Sequence, residues 1–236
     1  MKKTLIFGAV FTLCLFITAC CFCVGALRSP VPVFAVESGL TVVLDAGHGG
    51  IDGGVTGRKT GVKESDLNLS ITLKLKEIFE DAGFQVTLTR KTSAGLYGAA
   101  TKGFKKRDMQ KRKEIIEEAK PDFVISVHQN FYSSSVTRGG QVFYKKSDEN
   151  SKSFAEEIQT SLNDLYKKQN VRARNASGAE YFLLKHSPCS AVIVECGFLS
   201  NSEDERLLNG DSWREKIAEA IFCGTLSYLD TLQTAL

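Results

Sequence analysis

The chain is short of histidine, and most of its cysteine lies in one place. Three histidines, His48, His128 and His186, serve 236 residues. Of the seven cysteines, Cys14, Cys20, Cys21 and Cys23 fall in a single apolar N-terminal run, leaving Cys189, Cys196 and Cys223. An odd number without motif spacing argues against a disulfide framework and against a cysteine-rich zinc site. Excess charge is missing as well. Lys2, Lys3 and Arg28 precede the first acidic residue, Glu37, and the other 27 basic residues balance 27 acidic ones. That balance leaves no footprint for nucleic acid, which would need a concentrated basic face. Phosphate-binding loops are also lacking. The Gly-x-Gly-x-x-Gly register after Gly47 meets Asp52 where its third glycine should stand, and Gly57 is followed by Arg58 rather than by Lys-Ser/Thr. No internal repeat or low-complexity tract is visible.

What is present is an ordinary globular composition, 43% hydrophobic and 24% charged, behind an unusual start. Lys2-Lys3 lead into 24 uncharged, mostly apolar residues from Thr4 to Leu27, closed by Arg28. Such a run is long enough to span a bilayer, and its positive flank keeps the N-terminus cytoplasmic and the domain outside. An uncleaved anchor and a signal peptide cleaved after Ala35 both fit; a lipoprotein box ending at Cys20 fits less well, because apolar residues follow it. Each reading exports the domain. The expected organisation is therefore a signal peptide or membrane anchor with a short tether over residues 1–36, then one catalytic domain over 37–236.

Within that domain, strands and helices alternate. A β-branched run at 41–43 enters a glycine cluster, Leu44-Asp-Ala-Gly-His-Gly-Gly-Ile-Asp-Gly-Gly54. The spacing of Leu67, Ile71, Leu75, Ile78 and Ala82 predicts a helix over 63–82, ended by Gly83. A strand is expected at 84–89, a long loop at 91–104 and a charged helix at 107–119 stopped by Pro121. Nearly continuous apolar runs at 123–128 and 191–195 suit strands buried on both faces. A strand at 140–145, a helix carrying Phe154, Ile158, Leu162 and Leu165, an exposed loop at 168–178, a strand at 181–184 and a C-terminal helix with Trp213, Ile217, Ile221 and Tyr228 complete the pattern. The fold class is α/β: a single domain, a mostly parallel twisted sheet with helices on both faces.

Taken alone, His48 suits an ordinary loop histidine. Its partners change that reading. His48 follows the first strand, His128 closes the 123–128 strand, Glu195 closes the last strand, and Glu64 opens the helix after the glycine loop. In open parallel sheets, sites form outside the carboxyl ends of strands, so four chemistry-bearing residues are expected at one edge. Strand-end His and Glu could each be satisfied separately, but buried unpaired they are costly. A zinc ion supplies a common reason: His48, Glu64 and His128 make a His₂Glu ligand set with an open position, and Glu195 is left as general base. Cys196 reads as a small buried apolar residue and His186 as a loop histidine. Asp45 would orient the loop or a ligand histidine.

The same stretches carry a resemblance. Leu-Asp-Ala-Gly-His48-Gly-Gly, Val-Lys-Glu64-Ser-Asp-Leu-Asn-Leu, Ile-Ser-Val-His128-Gln-Asn and Val-Glu195-Cys-Gly-Phe-Leu-Ser-Asn resemble the zinc-dependent N-acetylmuramoyl-L-alanine amidases of the amidase-3 type over about residues 40–230. The resemblance implies one Zn2+ on His48, Glu64 and His128, with Glu195 catalytic. It implies hydrolysis of the peptidoglycan amide between the lactyl group of muramic acid and the first L-alanine of the stem peptide. A closer similarity is to the germination-specific members, through the single domain behind an export segment and through Gln141-Val-Phe-Tyr-Lys-Lys-Ser; it implies cortex maturation by muramic-δ-lactam formation. Gln129, Phe131 and Cys196 depart from common family residues and bear on substrate preference. Arg90 and Arg112 are candidates for stem-peptide carboxylates, with structural ion pairs as the competing reading. With no separate wall-binding repeat, localisation rests on the N-terminal segment or on an accessory protein. Alternative functions are a zinc peptidase of the stem peptide and a non-catalytic wall-binding regulator.

Overall fold

The computed structural model describes residues 39–234. The expected export segment, residues 1–36, lies outside the described residues. Six strands and six helices follow in chain order: β1 (Thr41–Ala46), α1 (Glu64–Asp81), β2 (Gln85–Leu88), α2 (Phe104–Ala119), β3 (Phe123–Asn130), β4 (Gln141–Lys145), α3 (Glu149–Lys167), β5 (Ser177–Ala179), α4 (Phe182–His186), β6 (Ser190–Phe198), α5 (Ser202–Asn209) and α6 (Asp211–Thr234). The strands form one sheet in the order β2-β1-β3-β6-β4-β5. β1 pairs in parallel with β2 and β3, and β3 with β6, while β4 runs antiparallel to β6.

Alternation along the strands decides which helices they bury. Val42 and Leu44 of β1, Phe123, Ile125 and Val127 of β3, and Val192 and Val194 of β6 enter the larger core with α1, α3 and α6. Val43, Val124, Ala191 and Ile193, one residue out of step, enter a smaller core with Ile116 of α2 and Leu183 and Leu184 of α4. This two-residue period puts both faces of the central strands in protein and explains their unbroken apolar runs. Helix α1 packs through Leu67, Ile71, Leu75 and Phe79, all buried; each such side chain contributes about 1.5–3 kcal/mol of burial. Gly83, at φ 88°, ends it in the left-handed region that glycine enters freely.

From β1 the chain crosses to β2 on one side and later returns to β3 on the other. The gap between the carboxyl ends of β1 and β3 is therefore a switch point, where α/β sheets place their sites. His48 and His128 both lie there.

Three expectations are corrected. Residues 181–184 are not a strand: Phe182–His186 form a helical turn whose Leu183 and Leu184 are buried. Four residues are too few for periodicity to separate the two, and Lys185 and His186 suit a helix C-terminus. The expected loop at 168–178 instead contains the start of β5, whose Ser-Gly-Ala sequence carries no strand signal. Strands β3 and β6 do not stop at His128 and Glu195 but continue to Asn130 and Phe198, so both residues face the site from within strands.

Candidate metal centre

Gly47 donates its N–H to the Val127 carbonyl at 3.1 Å and keeps the two strand ends together. A Cβ at this position would overlap the His128 imidazole. His48 then adopts φ 61°, a left-handed conformation that costs a non-glycine residue about 1–3 kcal/mol and persists where surroundings over-determine it. They do here. Arg112 Nη2 donates to the His48 carbonyl at 2.6 Å, Arg90 Nη2 and Asn68 Nδ2 to the Gly47 carbonyl at 3.0 and 3.1 Å, and Gly49 and Asp52 exchange backbone bonds. The loop is bent to present one imidazole.

That imidazole meets two others of the expected set. His48 Nε2 lies 3.3 Å and His128 Nδ1 2.9 Å from the same oxygen, Oε1 of Glu64. The two rings stand edge to face with centroids 5.0 Å apart. One ligand atom from each of His48, Glu64 and His128 falls within 4.8 Å of the others, a group that could hold a metal ion. Glu64 is buried, and its Oε2 accepts from the Val55 N–H at 2.9 Å while Oε1 accepts from Gln129 N at 3.1 Å. Its position as the first residue of α1 adds the favourable end of the helix dipole.

The ionisations follow from this packing. Burial alone would raise the Glu64 carboxyl, but the hydrogen bonds and charges of His128 and His48 hold it well below the usual carboxylate range. Burial would lower His48, yet Glu64 and Asp52 outweigh it and lift the imidazole to about 8. Glu195 has no such compensation. Burial pushes its carboxyl up to about 7, the His128 charge opposing and that of Glu64 adding. Among the described residues, its Oε2 is buried without a hydrogen-bond partner.

The chain therefore brings His48, Glu64, His128 and Glu195 together. A family profile described as N-acetylmuramoyl-L-alanine amidase matches residues 42–226, a span that contains all four. The chain belongs to that family. It is 30% identical over 194 residues to a germination-specific N-acetylmuramoyl-L-alanine amidase of Bacillus subtilis (strain 168), covering 81% of this chain and 80% of that one. N-acetylmuramoyl-L-alanine amidase AmiA of Escherichia coli (strain K12) is 29% identical, over 79% of this chain and 75% of its own length. The CwlD amidase from Clostridioides difficile, solved in complex with the GerS lipoprotein, superposes with a TM-score of 0.77 at 37% identity, covering 81% of this chain and 99% of that chain. The resemblance read from the four motifs is borne out, and the protein is an amidase of the peptidoglycan-hydrolysing class.

Two residues offered for substrate carboxylates are committed elsewhere in this amidase. Arg90 and Arg112 are buried. Arg90 donates to the carbonyls of Ala46, Gly47, Ser65 and Thr92. Arg112 donates to Asp108, Asp45 and the carbonyls of Ala46 and His48. Their forked donors brace the His48 loop and leave little to reach a substrate. Asp45 hydrogen-bonds to neither His48 nor His128; it accepts from Arg112, Thr89 and Ser126 and so orients the loop through Arg112. Cys196 is fully buried, with a thiol pushed well up by burial, which is the inert state of cysteine. His186 is exposed and stacks on Phe182.

Asp52 is the residue beside His48 that sequence reasoning passed over. Its Oδ2 lies 3.0 Å from His48 Nδ1, the outer-carboxylate arrangement that fixes an imidazole's tautomer and aim. The available signal was its place four residues after His48 in a glycine loop. The expected long loop before α2 also takes part, since Tyr97 Oη accepts the Ile51 N–H at 2.7 Å. Above the amidase's site lies a cleft of two lobes, about 330 and 310 Å³, that share His48, His128, Tyr181 and Ile193.

Proposed function

We propose that the protein cleaves the muramoyl–L-alanine amide with one zinc ion held by His48, Glu64 and His128, and with Glu195 as the general base. Two imidazole nitrogens and a carboxylate oxygen are the donor set of catalytic zinc. The partnerless Oε2 of Glu195 beside that trio is the observation that carries the reading. When bound, zinc supplies Lewis acidity toward the amide carbonyl and toward water. The remaining work falls to the chain. Asp52 and the Gly47–Gly50 turn aim His48, and Val55, Gln129 and Asn68 hold Glu64 in place. Glu195 accepts the proton of the attacking water at its free oxygen and returns it to the leaving amine. The two lobes admit the two halves of a substrate whose scissile bond joins sugar to peptide.

The biological setting belongs to the same proposal. The Bacillus subtilis relative is germination-specific and the Clostridioides difficile neighbour was solved with a lipoprotein. These support a role in spore-cortex maturation, with muramic-δ-lactam formation downstream and an accessory protein as partner. Residues 1–36 would export the catalytic domain, as a membrane anchor or as a cleaved signal. The test is a digest of cortex and vegetative peptidoglycan by the full chain. New L-alanine amino groups are the expected product, and release of internal stem-peptide amines alone would overturn the reading in favour of a peptidase.

A further inference from the structure

The lobe between α2 and α4 contains a lysine whose position local helix physics disfavours. Lys105 and Lys106 follow Phe104 at the start of α2, Arg107 comes next, and no acidic residue lies in that first turn. Cations there oppose the helix dipole. Arg107 has a local reason, since it donates to the carbonyls of Tyr97, Ala99 and Lys102 and secures the preceding loop. Lys105 does not. Its side chain is 67% exposed and its Nζ lies 3.2 Å from Asp52 Oδ1, an exposed pair worth about 0–1 kcal/mol. The ammonium thus hangs over the cleft, two polar contacts from the His48 imidazole.

The other charges that line this lobe are engaged. Asp45 and Asp108 are buried against Arg112, and Asp52 holds His48. Met109, Phe182 and Leu183 supply an apolar floor. The opposite lobe offers Gln129, Asn130 and Phe131, with no charged lining beyond His48, Glu64, His128 and Glu195. An extended dipeptide spans about 7 Å, so a chain leaving the scissile bond along the α2 side brings its second residue to the neighbourhood of Lys105. Resting on the amidase reading above, we propose that the α2–α4 lobe is the stem-peptide subsite and that Lys105 binds a carboxylate of that peptide, exchanging its contact with Asp52 for the substrate. The opposite lobe, with its amide and aromatic lining, takes the glycan.

The experiment is a two-by-two comparison with the full chain in mild detergent. Wild type and Lys105→Ala digest native peptidoglycan and the same peptidoglycan after chemical amidation of its carboxylates, with release of L-alanine amino groups as the readout and zinc content measured alongside. The expected result is a KM about tenfold higher for wild type on the amidated wall. Lys105→Ala should show that higher KM on both walls, with kcat and zinc content close to wild type, and Lys105→Arg should restore the preference for the native wall. If amidation shifts the KM of Lys105→Ala as much as that of wild type, or shifts neither, the subsite assignment is overturned while the amidase reading stands. If no enzyme releases L-alanine amino groups from either wall, the amidase reading itself falls and takes the subsite with it.

Discussion

His128 and Glu195 are register partners on adjacent parallel strands, β3 and β6. Both share the strand parity of the residues that meet α2 and α4, and the ladder becomes irregular immediately after them, between His128 and Asn130. One member of the pair belongs to the proposed ligand trio, and the other keeps an unsatisfied oxygen beside it. The backbone ladder, rather than a flexible loop, sets the spacing between proposed ligand and proposed base. Sites carried on strands hold their geometry better than sites carried on loops.

Removing the carboxylate while keeping its shape separates base from ligand. Glu195→Gln is expected to retain one zinc per chain by elemental analysis and to lose about 10²–10⁴-fold in kcat. Loss of zinc together with activity would instead place Glu195 among the ligands.

Asp52 calls for a different signature. Asp52→Asn leaves a side chain of the same size that can no longer compel His48 Nδ1 to act as donor. Zinc affinity measured against a competing chelator should fall about 10–100-fold, with far-ultraviolet circular dichroism unchanged. An unaltered affinity would reduce Asp52 to a loop residue.

His128 and Glu195 were legible because they interrupt otherwise apolar strands, His48 because it stands in a glycine-rich turn after a strand, and Glu64 because it opens the next helix, all at the edge where the fold class predicts a site. For Arg90 and Arg112 the sequence left substrate contact and structural pairing side by side, because it shows a guanidinium but not the carbonyls that surround it; only the turn at His48 reveals why two buried arginines are needed. Helix α5 was missed although Asn201 accepts from the N–H groups of Glu203 and Asp204 and acidic residues fill the first turn, a start signal masked by the short length that follows. The strand expected at 140–145 is β4, but its antiparallel pairing with β6 was not legible, since direction leaves no trace in a five-residue strand.

Zinc loading should release protons. Without a cation, Glu64 and Asp52 keep His48 protonated up to about pH 8, and a coordinating imidazole must be neutral. The proton binds only the unloaded form, so apparent zinc affinity falls as pH drops below about 8, by up to about tenfold per unit from this group. Titration calorimetry at pH 7 in buffers of different ionisation enthalpy should show net proton release. A buffer-independent enthalpy would contradict the coupling.

Acid should loosen the brace behind the site. Burial raises the Asp45 carboxyl, but Arg112 and the Ser126 and Thr89 hydroxyls outweigh it and bring it to about 2, against an ordinary 3.8. A depressed carboxylate contributes stability that is fully present above the unfolded value and lost as pH falls from about 3.8 toward 2. For a fully buried group the shift corresponds to about 2 kcal/mol. Asp45→Asn removes this dependence but leaves the Arg112 charge buried beside a single remaining carboxylate, Asp108, which costs about 3–5 kcal/mol at neutral pH. Urea unfolding at pH 7 and pH 3 should therefore show a large loss for the variant at pH 7 and a narrower gap at pH 3. A gap that stays constant between the two pH values would mean that Arg112 does not set the ionisation of Asp45, and the His48 turn would then need another support.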